Sequence, residues 1–371
     1  MKLAIAHDWL TNIGGAEIAI SIVADIYENA PIYTSVYDPD NLGDLLKGRD
    51  IRTSFIQKFK KAKKNHQKYL PFMPTAWEQF NFNEFDVVFS SSTSCAKGLI
   101  TSPNTMHICY CNTPMRYAWE FYYEYMEEWN LSWLKKKLLP YVMHYIRMWD
   151  AISANRVDYF IANSKNVAKR INKHYRREAE VIYAPVQSKF YDNTSDIDEE
   201  YFLIVSRLVP YKKVDLAVEA FNELGLPLVV IGGGPQLDYI KKIAKDNVKV
   251  MGRQPDEVVM EHYAKCRAFI FPGEEDLGLT PLEVQASGRP VIAFGKGGAT
   301  ETVLDQQTGL FFKEQTVAEL KNSVKQFMKM SFDKSVLIKH SEAFSETMFK
   351  EKIKNFVDEK YEEHKTSIYC R

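Results

Sequence analysis

Residues 268–283 read Ala268-Phe269-Ile270-Phe271-Pro272-Gly273-Glu274-Glu275-Asp276-Leu277-Gly278-Leu279-Thr280-Pro281-Leu282-Glu283. Ala268–Phe271 is a short apolar run closed by Pro272-Gly273, which reads as a strand buried on both faces. The acidic, glycine-bearing stretch after it is a loop. Pro281 is at home in the first turn of a helix near Thr280–Ser287. Strand, loop and helix in this order form the unit from which covered parallel sheets are built. The chain repeats the unit on both sides. Tyr201–Ser206 precedes a helix near Val214–Leu224, Leu228–Ile231 a helix at Gln236–Ala244, and Val248–Met251 a helix near Asp256–Cys266, while Pro290–Phe294 is a further strand. Nearer the N-terminus, Lys2–His7, Asp86–Ser90, Met106–Cys111, Tyr159–Asn163 and Val181–Ala184 are strand-like, and Ala16–Tyr27 is helical after Gly14-Gly15. The fold class is therefore α/β, with two doubly wound domains over about 1–187 and 188–345 joined by the polar stretch Ser188–Glu200. Residues 346–371 hold a last helix, near Met348–His364, with no strand after it.

In such folds ligands bind beyond the C-terminal ends of the strands. Two domains facing across a cleft suit a substrate with two halves. Three loops carry chemistry. In the opening stretch Glu275 and Glu283 are eight residues apart. A carboxylate in the loop and another a helical turn later can reach different hydroxyls of one polar ligand. Backbone N–H groups at this helix start can receive an anion. A solvated loop residue and a helix-dipole partner are the plainer reading of the same two glutamates. The second loop is Ser206-Arg207-Leu208-Val209-Pro210-Tyr211-Lys212-Lys213. Arg207 and Lys212 are two cations suited to a diphosphate, or else ordinary surface charges. The third is Gly14-Gly15, where a backbone can approach a phosphate or sugar closely.

Composition narrows the field. The chain has 371 residues, too long for one ordinary domain and comfortable for two. Lys plus Arg and Asp plus Glu are both 48, so the formal charge is zero, which disfavours nucleic acid. The zero hides a split: residues 1–185 carry 23 basic and 19 acidic groups, the remainder 25 and 29. The cysteines, Cys95, Cys109, Cys111, Cys266 and Cys370, are scattered and read as reduced thiols. No stretch approaches the roughly 20 apolar residues that span a bilayer, and the N-terminus lacks a signal peptide's pattern. The reading is a cytoplasmic protein, free or peripheral on the membrane's inner face. There is no phosphate loop, no Gly-x-Ser-x-Gly and no His-Glu-x-x-His, and Gly232-Gly233-Gly234-Pro235 does not match the dinucleotide fingerprint. Asp38-Pro39-Asp40 and Asp196-Ile197-Asp198 read as solvated turn carboxylates rather than metal ligands.

The three loops together resemble the family 4 glycosyltransferases of the GT-B fold. Glu275 and Glu283 match the family's Glu, seven residues, Glu pattern, which continues into Ser287-Gly288-Arg289-Pro290-Val291-Ile292-Ala293 and Gly297-Gly298-Ala299-Thr300-Glu301-Thr302-Val303. Ser90-Ser91-Ser92, Ala96-Lys97-Gly98, Cys111-Asn112-Thr113-Pro114-Met115-Arg116-Tyr117-Ala118-Trp119 and Ala162-Asn163-Ser164 look like bacterial O-antigen and capsule enzymes, many of them mannosyltransferases. The resemblance implies roles. Arg207 and Lys212 would hold the donor diphosphate, Glu283 the ribose hydroxyls, and Glu275 the transferred sugar. Backbone amides around Gly278, Leu279 and Thr280 would lie near donor sugar and phosphates, Gly14 and Gly15 over the phosphate, and Arg253 near the nucleobase. The subgroup usually has His where this chain has Asn112, and Asn cannot titrate near neutrality. His7 and Asp8, ending the first strand, are substitutes on the acceptor side; His107, within a strand, reads as structural.

The implied reaction is retaining hexosyl transfer, without cofactor or metal. The donor is a nucleotide diphosphate sugar, GDP-mannose first and a UDP-hexose as the alternative, and the acceptor a glycan or polyprenyl-diphosphate-linked glycan. A catalytically weak sugar-nucleotide-binding partner in a glycan-assembly complex is the non-enzymatic alternative, encouraged only by Asn112. The run from Arg52 to Lys68 carries seven cations and no acid, beside Phe55, Phe59, Tyr69 and Phe72. It suits an anionic membrane surface, and a solvated face accounts for it equally well. Trp133–Tyr141 has the same character.

Overall fold

The structure, a computed structural model, describes residues 1–123, 133–197 and 199–369. The chain forms two compact units, Met1–Tyr183 with Lys350–Arg371, and Ala184–Phe349. The second unit begins just before Val186, whose N–H donates to the Phe344 carbonyl at 2.8 Å.

The first unit runs β1 (Leu3–His7), α1 (Gly15–Ile26), β2 (Ile32–Thr34), β3 (Ile51–Thr53), α2 (Ala62–Asn65), α3 (Met73–Glu78), β4 (Val87–Ser92), β5 (Met106–Cys111), α4 (Trp133–Ser153), β6 (Tyr159–Ala162), α5 (Lys165–Tyr175) and β7 (Ala179–Val181). Its seven strands pair in parallel in the order β3-β2-β1-β4-β5-β6-β7. β1, β4 and β5 are buried at every position, as near-continuous apolar runs require. Trp77, Phe82, Met73, Met143, Ile146 and Trp149 form much of the core on one side.

The second unit contains β8 (Phe202–Val205), α6 (Val214–Leu224), β9 (Leu228–Ile231), α7 (Leu237–Ile243), β10 (Val248–Gly252), α8 (Asp256–Lys265), β11 (Ala268–Phe271), α9 (Leu279–Ala286), β12 (Val291–Phe294), α10 (Ala299–Thr302), β13 (Gly309–Phe312), α11 (Val317–Phe327) and α12 (Lys334–Glu342). The six strands lie in the order β10-β9-β8-β11-β12-β13. A last helix, α13 (Glu346–Tyr369), belongs to the first unit from Lys350 onward. Both sheets reverse direction at one point, β1 beside β4 and β8 beside β11. Loops there leave in opposite directions and open a crevice at the strands' C-terminal ends.

β2, β3 and β13 add to the strands read from sequence. β2 and β3 are three residues each, too short to show a period. Among the described residues no helix is long and apolar enough to cross a membrane.

Candidate active site

The switch point of the second sheet gathers the charged loops. After β8 the chain passes Arg207 and turns through a short 3-10 segment, Pro210–Lys212. After β11 it passes Gly273 and Glu275 before α9 begins. A side chain at Gly273 would place its Cβ 2.9 Å from the Lys212 Cα, so glycine lets the two loops touch. The Lys212 ammonium pairs with the Glu275 carboxylate, both side chains being largely sheltered. The Glu275 backbone is itself fixed, its carbonyl accepting the Gly298 N–H at 2.8 Å from the loop after β12. Gly278 has a φ of 82°, a left-handed turn that starts α9, and no side chain caps that helix. The first N–H groups of α9 are therefore donors for a ligand.

Arg207 is exposed at the same edge. Its neighbour Leu208 donates to the Gly233 carbonyl at 2.9 Å, tying the β8 loop to the β9 loop. The Gly232 N–H donates to the Gly252 carbonyl at 2.9 Å, which brings exposed Arg253 to this edge as well. Arg207, Lys212, Arg253, Glu275 and the amides at Gly278, Leu279 and Thr280 thus share one end of one sheet.

Glu283 lies deeper, on α9. It accepts a hydrogen bond from the Tyr263 hydroxyl at 3.1 Å. Tyr263 is held by Phe190 and Phe269. Burial pushes the Glu283 carboxyl up to about 7, against the opposing pull of Tyr263 and the nearby Lys189 ammonium. Sequence reasoning misses Tyr263, which lies 20 residues from its partner with no local pattern linking them.

In the first unit, His7 and Asp8 end β1 at the other switch point. Asp8 is committed inward. Its two oxygens accept the backbone N–H groups of Thr93, Ser94, Cys95 and Ala96 at 2.5–2.8 Å, and the Thr93 hydroxyl at 3.1 Å. It holds the loop after β4 rather than presenting a free carboxylate. His7 is buried with Nε2 3.5 Å from Glu17 Oε1, and its Nδ1 has no hydrogen-bond partner. Gly14 caps α1 with no side chain, and a Cβ there would sit 2.9 Å from Glu17 Oε2. Sequence reasoning also misses Glu17, although Gly14-Gly15-Ala16-Glu17 puts a carboxylate in the first turn of α1. Asn112 follows β5, its amide donating to Ser91 Oγ at 3.0 Å. His107 contacts Ser90 Oγ at 2.8 Å inside the sheet, and burial lowers its imidazole to about 3, a structural histidine.

The remaining motifs are accounted for locally. Asp38 pairs with Lys63 at 3.6 Å and accepts from Asn41 at 3.1 Å. Asp196 pairs with Lys334 at 3.1 Å, and Asp198 lies outside the described residues. Cys95, Cys109, Cys111 and Cys266 are buried and in no disulfide, while Cys370 lies outside the described residues. Among the described residues no group of three or more His, Cys, Asp or Glu side chains is placed to hold a metal ion.

Cations, a carboxylate and helix N–H groups at the switch point of a doubly wound sheet are chemistry suited to a phosphorylated ligand. Comparison with known proteins makes this specific. The family described as Glycosyltransferase Family 4 matches residues 13–189, and Glycosyl transferases group 1 matches residues 187–351. The chain belongs to the family 4 glycosyltransferases of the GT-B fold. A GDP-mannose-dependent alpha-(1-6)-phosphatidylinositol monomannoside mannosyltransferase of Mycobacterium tuberculosis is 34% identical over 142 residues, 33% of this chain and 37% of that protein. O-antigen chain mannosyltransferase C of Escherichia coli is 25% identical over 164 residues, 40% of this chain and 44% of that protein. The chain thus spans less than half the length of these curated relatives. HepE of Anabaena, solved in complex with UDP, shares the fold with a TM-score of 0.72 and 16% identity, over 97% of this chain and 100% of that one.

Proposed function

We propose that the protein is a retaining hexosyltransferase that moves mannose from GDP-mannose to a glycan or polyprenyl-diphosphate-linked acceptor in bacterial surface polysaccharide synthesis. The Lys212–Glu275 pair beside exposed Arg207 carries this reading. In the ground state the lysine is neutralised by its own carboxylate. A donor diphosphate would give Lys212 and Arg207 a dianion to hold, and would free Glu275 for the hydroxyls of the transferred sugar. As the glycosidic bond breaks, negative charge grows on the diphosphate and positive charge on the anomeric carbon. Fixed cations aimed at the first are worth more in the transition state than in the ground state. The acceptor hydroxyl attacks the face from which the diphosphate departs, and a phosphate oxygen takes its proton. Arg207 and Lys212 do the work of a divalent metal in this scheme.

The acceptor side falls to the first unit, where His7 ends β1 and Asn112 follows β5, with β4 between the two strands. Two relatives named as mannosyltransferases support mannose. A UDP-hexose is the competing donor, and a lipid-linked acceptor would bring the protein to the inner face of the membrane. Thermal shift with a panel of nucleotide sugars tests the donor, because a ligand stabilises the state that binds it. Selective stabilisation by GDP-mannose supports the reading; selective stabilisation by a UDP-hexose replaces the donor.

A further inference from the structure

We propose that the outer face of α4 is a contact surface for an anionic lipid bilayer, lying in the plane of the headgroups. This rests on the reading above that the acceptor is lipid-linked. The inner side of α4 is ordinary: Met143, Ile146 and Trp149 enter the core cluster, with Leu139 and Val142 packed against it. The opposite side is not. Leu138, Tyr141, Tyr145, Met148 and Ile152 are 54%, 76%, 44%, 48% and 63% exposed. Their spacing of three and four residues puts them on one stripe of the helix. Single exposed apolar residues need no explanation, but a contiguous stripe marks an interaction surface.

The charges around the stripe select the partner. Exposed Lys137 borders the stripe at its start, its Nζ 4.2 Å from the ring centre of Trp133, itself 70% exposed, while exposed Lys136 lies around the far flank of the helix. The one acid of α4, Asp150, is buried on the other side and paired with Lys97. Tyr and Trp beside Lys, with no acid, is the composition of a helix at a membrane–water boundary. Among the described residues of α4 no acid flanks the stripe, so charge complementarity favours anionic lipid over the same helix face of a second copy.

The run from Arg52 to Lys68 contributes differently from its sequence. Phe55, Phe59, Tyr69 and Leu70 turn to the core cluster that α4 also covers, while Lys58, Lys60, Lys61, Lys63, Lys64 and Lys68 stay exposed. The run adds exposed positive charge to the same unit, and α4 supplies the apolar area.

The test is co-sedimentation of the full chain with phosphatidylcholine vesicles, with and without about one third phosphatidylglycerol. The triple variant Tyr141→Ser/Tyr145→Ser/Ile152→Ser should lose about tenfold or more in partitioning to the anionic vesicles. Its melting temperature, and its release of nucleoside diphosphate from donor without vesicles, should be unchanged. Leu138→Ser/Met148→Ser provides a second reading should the triple variant fold poorly. Three results overturn the proposal: no wild-type binding at low salt, wild-type-like binding by both variants, or a wild-type dimer that the variants convert to monomer, which would assign the face to a second copy. Vesicle binding is read without donor, so failure here is separable from failure of the transferase reading.

Discussion

Glu283 is a carboxyl held in a place that disfavours its charge, and this has a measurable cost. Its carboxyl is raised from 4.5 to about 7, chiefly by burial. Between these values the folded state binds a proton that the unfolded state has lost. Folding stability therefore falls as pH rises through this window, is unaffected below it, and reaches its full loss above about 7. A tenfold change in proton affinity corresponds to about 1.4 kcal/mol, so integrating the linkage from pH 5 to pH 8 gives a loss of about 2.5 kcal/mol as a ceiling. Glu283→Gln keeps an oxygen to accept from Tyr263 but removes the charge. The variant's advantage over wild type should therefore be larger at pH 8 than at pH 5, by up to about 2.5 kcal/mol. That is a difference of roughly 5–10 °C in the melting of a unit of this size. The assay is calorimetry at both pH values. Tryptophan fluorescence would miss it, because all six tryptophans lie between Trp9 and Trp149, in the first unit. Binding should move the other way: donor affinity in wild type should rise with pH through about 7, and the variant should bind donor weakly at every pH. A variant with no pH-dependent stability gain, or with wild-type affinity for donor, would refute the reasoning.

Three further substitutions separate structural from catalytic roles. Asp8→Ala orphans four backbone N–H groups, each costing about 1–3 kcal/mol when left buried, so it should unfold the first unit by tryptophan fluorescence rather than shift a pH–rate profile. Lys97→Met leaves Asp150 charged and buried with Trp119 and Tyr175 donating to it, and should cost about 3–5 kcal/mol in urea unfolding. Gly273→Ala must push the Lys212 turn away. It should lower the melting temperature and, assayed where the variant is still folded, lower kcat about tenfold or more in steady-state kinetics.

The opening stretch was legible because its strand is buried on both faces and its loop is punctuated by Pro272 and Gly273. The same property made β8, β9 and β12 readable. Edge strands such as β2 and β3 left too few residues to show a pattern. Charge was legible at Arg207, Lys212, Glu275 and Glu283, but pairing was not: Lys212 and Glu275 meet only because two loops converge at a switch point. Direction was hidden too. Asp8 looks the same in sequence whether it faces a ligand or its own backbone. In α4 the sequence shows a basic and aromatic character over Trp133–Tyr141, but Tyr145, Met148 and Ile152 join the outward stripe only once Met143, Ile146 and Trp149 are seen to fill the inner face. In the basic run the apolar residues were the misleading half, since most of them turn inward.

The central claim is that Lys212 and Arg207 stabilise a departing nucleoside diphosphate in the second unit. Release of GDP from GDP-mannose, with and without acceptor, tests it most directly when wild type and Lys212→Ala are compared at equal folded concentration. The account predicts release by wild type and a loss of about 100-fold or more in the variant, with the melting profile retained. Equal release by both proteins would contradict it.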